Sequence, residues 1–141
     1  MIQYQALIER DGRGYLVSFP DLPGCVTEGR TKDEAHKNAR EALSLFLEEA
    51  RDPRWEVPVP RRRRAAKYEW IRPFADVAIP LMIRQARARH GLSQRQLAKR
   101  LGVSVQQLQK LETPGKSNPT VKTLAAISDA LDENLQIQLV A

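Results

Sequence analysis

The chain opens on an alternating pattern of apolar and polar positions and later changes period. Ile2 to Glu9 (IQYQALIE) alternates loosely, as a strand does. Asp11, Gly12 and Gly14 supply a turn, and Tyr15 to Phe19 (YLVSF) reads as a second strand, completing a hairpin. PDLPGC is too rich in Pro and Gly for regular structure, and a short strand is expected around Cys25 to Glu28. The spacing then becomes helical: Ala35, Ala39, Ala42, Leu43, Phe46 and Leu47 make one apolar stripe. Thr31 and Glu34, in TKDE, form a capping box at its start, and the helix is expected to end near Ala50, before Asp52-Pro53.

Arg51 to Lys67 contains three prolines and four consecutive arginines, and reads as a solvated loop or linker, with a grip of Arg61 to Arg64 on DNA phosphates as the alternative. Tyr68 to Arg72 (YEWIR) is a candidate fourth strand returning to the first sheet. From there the pattern is helical. One helix runs from about Asp76 to His90, with Pro80 inside it or at its true start, and Gly91 stops it. Two short helices follow from Ser93 and Ser104. A loop over Thr113 to Pro119 leads to a last helix, Thr120 to about Leu131, with Leu124, Ile127 and Leu131 inward. In the tail, Asn134 to Val140, Leu135, Ile137 and Leu139 alternate with Gln136 and Gln138, as in a strand. The expected class is α+β. A β-β-β-α-β unit occupies residues 1–74, and an all-α unit with a terminal strand occupies residues 75–141.

Charge sharpens this division. Residues 1–52 carry a net −3, residues 53–80 +4 and residues 81–141 +5. A polyanion therefore suits the second half, and a basic partner, or none, suits the first. Cys25 is the only cysteine, which excludes an intrachain disulfide and fits a small apolar role in a reducing compartment. The N-terminal residues alternate and do not read as a signal peptide, and no apolar run has the length of a membrane span, so a soluble cytoplasmic protein without membrane contact is expected.

The densest chemistry lies in LSQRQLAKRLGVSVQQLQKLE, Leu92 to Glu112. Leu97, Ala98 and Leu101 face one way, Gly102 can take positive φ at a turn, and Leu108 with Leu111 fixes how the next helix faces. Gln106, Gln107 and Lys110 are left outward, with the donors and acceptors that read base edges. An ordinary solvated helix face is the competing interpretation. Ser93, Gln94, Leu97, Ala98, Leu101 to Ser104, Leu108, Leu111 and Glu112, with Pro119, Thr120, Leu124, Ile127 and Leu131, resemble the Cro and phage-repressor type of helix-turn-helix. That resemblance implies phosphate binding by Gln94. It implies base reading by Val105, Gln106, Gln107 and Lys110, with Ser104 at the backbone and Lys116, Ser117 and Asn118 as further phosphate contacts.

The first third resembles the HicB antitoxin family. The resemblance rests on Tyr4, Gly14, Tyr15, the run Phe19-Pro20-Asp21-Leu22-Pro23-Gly24-Cys25, Thr27, Gly29, Thr31, Glu34, Ala35, Asn38, Ala39, Glu41, Ala42 and Leu43. It implies a reduced ribonuclease-H-like fold and an antitoxin that masks a HicA-like ribonuclease toxin, with Tyr4, Tyr15, Phe19, Asp21 and Glu28 as candidate toxin contacts. The early acids Glu9, Asp11, Asp21 and Glu28 show no pattern placing them on a shared face for two-metal chemistry. Asp21 reads instead as a turn-former, and His36 and His90 as surface or capping residues. No catalysis, metal or cofactor is expected. The expected function is an antitoxin that also binds its own operator DNA as a homodimer or higher homo-oligomer, with Leu135, Ile137 and Leu139 pairing two tails about a two-fold axis. Pairing of the tail with the first domain's sheet is the competing arrangement. The alternative function is a stand-alone repressor whose first domain senses a ligand or dimerises.

Overall fold

The computed structural model describes residues 1–140. Its first part is an antiparallel sheet of β1 (Tyr4–Asp11), β2 (Gly14–Ser18), β3 (Val26–Gly29) and β4 (Tyr68–Ile71), in the order β3-β2-β1-β4. Helix α1 (Lys32–Glu48) crosses one face, linking the β3 edge to the β4 side. Thr31 caps it through the Glu34 amide at 3.1 Å, and the Glu34 carboxylate accepts from the Arg30 amide at 2.9 Å. Ala35, Ala39, Leu43 and Leu47 lie one turn apart and are fully buried, packing onto Tyr4, Ala6, Ile8 and Val17. Gly29 permits the close crossing, because a Cβ there would stand 2.4 Å from the Ala35 nitrogen.

Four helices follow: α2 (Ala75–Arg89), α3 (Gln94–Leu101), α4 (Val105–Leu111) and α5 (Val121–Leu131). Ile83, Leu97, Ala98, Leu108, Ile127 and Leu131 form their core. Helix α2 serves both parts. Its Val77 and Leu81 belong to the sheet domain's core, whereas Ile83 belongs to the helical one, so the expected division at 74/75 does not separate the two cores.

Pro80 lies inside α2, a full turn past its start. A proline has no N–H for the carbonyl four residues before it. That carbonyl, Asp76 O, accepts instead from the Gly115 amide at 3.0 Å, and so joins α2 to the loop after α4.

The Pro/Arg segment departs from the solvated loop expected. Trp55 and Val57 pack on the sheet core, and the Tyr4 hydroxyl donates to Pro58 O at 2.8 Å. The Arg63 guanidinium makes a two-pronged pair with Asp21 at 2.8 and 3.0 Å, and Asp21 also accepts from the Arg61 amide at 2.9 Å. Gln5, only 3% exposed, clamps the Arg63 backbone through both its amide oxygen and nitrogen. Arg61, Arg62 and Arg64 remain exposed. The tail 134–140 forms no strand within this chain. Its Leu135 and Ile137 line an apolar groove of about 510 Å³ with Met82, Ile83, Leu124 and Ile127.

Candidate nucleic-acid interface

Two reciprocal capping boxes set the geometry of α3 and α4. The Ser93 hydroxyl accepts from the Gln96 amide at 3.1 Å, and the Gln96 side chain accepts from the Ser93 amide at 2.8 Å. Ser104 and Gln107 repeat this at 3.1 and 2.9 Å. Gly102 closes α3 with φ 67°, a backbone conformation that glycine adopts without strain. Leu97 and Leu108, both fully buried, hold the two helices against α5 and α2.

Beneath them lies a buried polar cluster that no sequence spacing announced. Glu112, 1% exposed, follows α4 and accepts from Arg87 at 2.6 and 2.9 Å. It also accepts from the Gln94 side-chain nitrogen at 3.0 Å. Arg87 donates further to Leu92 O at 2.7 Å. One turn earlier on α2, Arg84, 4% exposed, donates to Glu112 O at 2.9 Å, Ala50 O at 3.0 Å and Asp52 O at 3.2 Å. Burial pushes the Arg84 guanidinium below its ordinary value, with neighbouring Arg87 acting in the same direction and Glu112 opposing. The Arg84 Nε has no partner among the described residues.

The predicted DNA residues divide accordingly. Gln106, Lys110, Lys116 and Asn118 are exposed, and Val105 is half-buried at the start of α4. Gln107 is exposed but holds the cap through its side-chain oxygen, which removes half of the amide from base reading; the S-x-x-Q spacing is the signal for this role. Ser104 spends its hydroxyl on the same cap. Two expectations change. Gln94 is half-buried and commits its side-chain nitrogen to Glu112, so exposed Arg95 is the cation of that turn. Ser117 is 6% exposed and faces inward, so it is not on the surface a phosphate meets.

On the sheet domain, Tyr4 and Phe19 lie in the core, and the Asp21 carboxylate is taken by Arg63, so these three are not free partner contacts. The Arg63 guanidinium holds the Asp21 carboxyl below its usual range, assisted by the Arg61 amide and opposed by burial. Tyr15 and Glu28 border a cleft of about 550 Å³ that also brings together Asp11, Glu34, Arg13 and Arg30. Two of the early acids, Asp11 and Glu28, therefore border the same cleft. Cys25 is buried, which pushes its thiol up to about 11 and keeps it protonated. His36 pairs with Glu69 at 2.6 Å, and His90 with Glu133 at 2.9 Å. Among the described residues no helix is long and apolar enough to cross a membrane.

Comparison with known proteins falls along the same two parts. Residues 3–71 match the family described as HicB_like antitoxin of bacterial toxin-antitoxin system, and residues 83–138 match the helix-turn-helix family. The chain is 27% identical to "Antitoxin HicB 2" of Photorhabdus laumondii over 136 residues, covering 96% of this chain and 95% of that protein. It is 38% identical to "UPF0150 protein Ta0767" of Thermoplasma acidophilum over 58 residues, 40% of this chain and 84% of that one. It is 29% identical to "Antitoxin HicB" of Escherichia coli K12 over 98 residues, 70% of each.

Proposed function

The chain belongs to the HicB-like antitoxin family and carries a helix-turn-helix domain after its HicB-like domain, and from that premise we propose that it neutralises a HicA-like ribonuclease toxin by direct binding and represses its own operon. The observation that supports the proposal is that α2 is shared by the HicB-like and helix-turn-helix parts, with Val77 and Leu81 in one core and Ile83 in the other. The activity is binding, and no reaction is assigned to the chain.

For the toxin, Asp11, Glu28 and Glu34 outnumber Arg13 and Arg30 around the cleft by one charge, and with Tyr15 beside them supply a mixed surface with a slight negative excess that suits a basic protein. For DNA, the reading face is Val105, Gln106 and Lys110, with Lys116, Asn118 and Arg95 toward the phosphates. Exposed Leu135, Ile137 and Leu139 support a dimer in which two tails pair about a two-fold axis, because pairing would cover apolar side chains that stand open in the single chain. Such a dimer presents two recognition helices to half-sites one DNA turn apart.

The test is to co-express the full chain with a HicA-like ribonuclease toxin. Rescue of growth and co-purification of the two proteins are expected, together with binding of the upstream promoter fragment. Promoter binding without rescue or co-purification would leave a stand-alone repressor and refute the antitoxin assignment.

A further inference from the structure

We propose that the Arg51–Arg54 segment, which lies outside the helix-turn-helix, is a DNA-backbone contact that takes phosphate groups flanking the bases read by α4. This rests on the DNA-binding reading above and extends it to residues of the sheet domain. Three elements directed at DNA converge on Glu112: α3 begins with Gln94 on its carboxylate, α4 ends at it, and the following loop carries Lys116. Arg84 clips residues 50–52 to the same point, its Nη2 donating at once to Glu112 O and Ala50 O while Nη1 reaches Asp52 O. A second clip lies alongside, where the Gly115 amide meets Asp76 O and a Cβ at Gly115 would stand 3.0 Å from the Glu48 side chain.

The segment is thereby held through the Ala50 and Asp52 carbonyls by the Arg84 side chain and shares a groove along α2 with Arg84, Arg87 and Arg89, while Arg51 and Arg54 project into solvent, the Arg54 side chain 90% exposed. A planar guanidinium on an ordered backbone suits a phosphate and loses less freedom on binding it than one on a flexible arm. The charges nearby are mixed. Glu49 and Glu56 are exposed, Glu48 is half-buried against Gly115, Arg84, Arg87 and Arg89 line the same groove as Arg54, and Asp52 is paired with Arg54 at 3.2 Å. That pair is local and exposed, of a kind that contributes little by itself. A phosphate can replace Asp52 as the partner of Arg54.

The experiment titrates the full chain on its upstream promoter fragment and on a mixed-sequence duplex over a range of salt concentrations. Each lost phosphate contact lowers the slope of log affinity against log salt by about 0.9. Arg51→Gln with Arg54→Gln should therefore reduce the slope by about 1.8 on both duplexes, leaving the preference for the promoter unchanged. Asp52→Asn should do the opposite and tighten binding to both duplexes severalfold, because it frees Arg54. Slopes equal to wild type in the double variant would overturn this inference while leaving the helix-turn-helix reading intact. Failure of the wild-type chain to bind either duplex would overturn both.

Discussion

Glu112→Ala is the substitution that tests the architecture most directly. Glu112 is nearly inaccessible, and its carboxylate is the counter-charge of Arg87, whose side chain is only 10% exposed. Removing it leaves a buried guanidinium with Leu92 O as its one remaining acceptor, and strips Gln94 of its partner as well. Breaking one side of a buried ion pair costs about 3–5 kcal/mol, mostly from the charge left without compensation. For a chain of this size that lowers the melting temperature by roughly 6–20 °C. Arg87→Met should cost a similar amount for the reciprocal reason. The double change, Glu112→Leu with Arg87→Met, removes both charges and fills the space with apolar atoms. It should recover most of the loss, because apolar replacement of a whole buried pair is often neutral or stabilising by about 1–4 kcal/mol. The assay is urea unfolding followed by circular dichroism of wild type, Glu112→Ala, Glu112→Leu, Arg87→Met and the double variant, with Glu112→Leu, Arg87→Met, their combination and wild type forming the double-mutant cycle. A loss below about 1 kcal/mol for Glu112→Ala, or a double variant as weak as the sum of the singles, would refute the reasoning.

Gln106→Ala should cost about 1–3 kcal/mol on the promoter and relax preference at one base pair. Gln107→Ala should mainly loosen the cap of α4, lowering stability by about 0.5–1 kcal/mol; equal loss of base preference in the two variants would contradict the division of roles. Since its pairing depresses the Asp21 pKa, the stabilisation from Asp21–Arg63 is full above the ordinary aspartate value of about 4 and is lost as pH falls from there through the depressed folded value. The stability difference between wild type and Asp21→Asn should therefore close in that acid window, and a gap persisting below it would count against the pair as its source. A chain ending at Glu133 should sediment as a monomer at micromolar concentration, against a dimer for the full chain; identical sedimentation would remove the tail from the dimer interface.

Signals that act over one turn of chain were legible beforehand. Thr31 to Glu34 marked the start of α1, Gly102 marked the end of α3, and the alternation from Ile2 gave β1, because in each case the residues that settle the geometry are neighbours in sequence. What escaped depends on partners brought together only by folding. Arg87 meets Glu112 across 25 positions, and Asp21 meets Arg63 across 42. Four consecutive arginines read as a repelling, solvated run, because nothing local reveals that Gln5 on β1 and Asp21 in the turn after β2 wait to hold the third of them. For a related reason the motif gives the positions of Gln94 and Ser117 along the helix and loop, but not that Gln94 bonds to a buried Glu112 or that Ser117 faces inward. Tyr4 and Phe19 stood out as matching residues, and the structure explains their role as packing.

Helix α2 sets a limit on how this protein can be rebuilt. A chimera that exchanges the helix-turn-helix for another at the 74/75 boundary would carry a foreign helix into the sheet domain, with new side chains in place of Val77 and Leu81. Cutting instead at Gly91 keeps that packing but divides Arg87 from Glu112 and Arg84 from the Glu112 carbonyl. Neither joint yields a clean module. A graft works only if the incoming helices supply a glutamate in the place of Glu112 and a glycine amide for the carbonyl that Pro80 leaves open. The specificity of the DNA-reading half can thus be changed one side chain at a time along α4, whereas exchange of the whole half is constrained by the helix it shares.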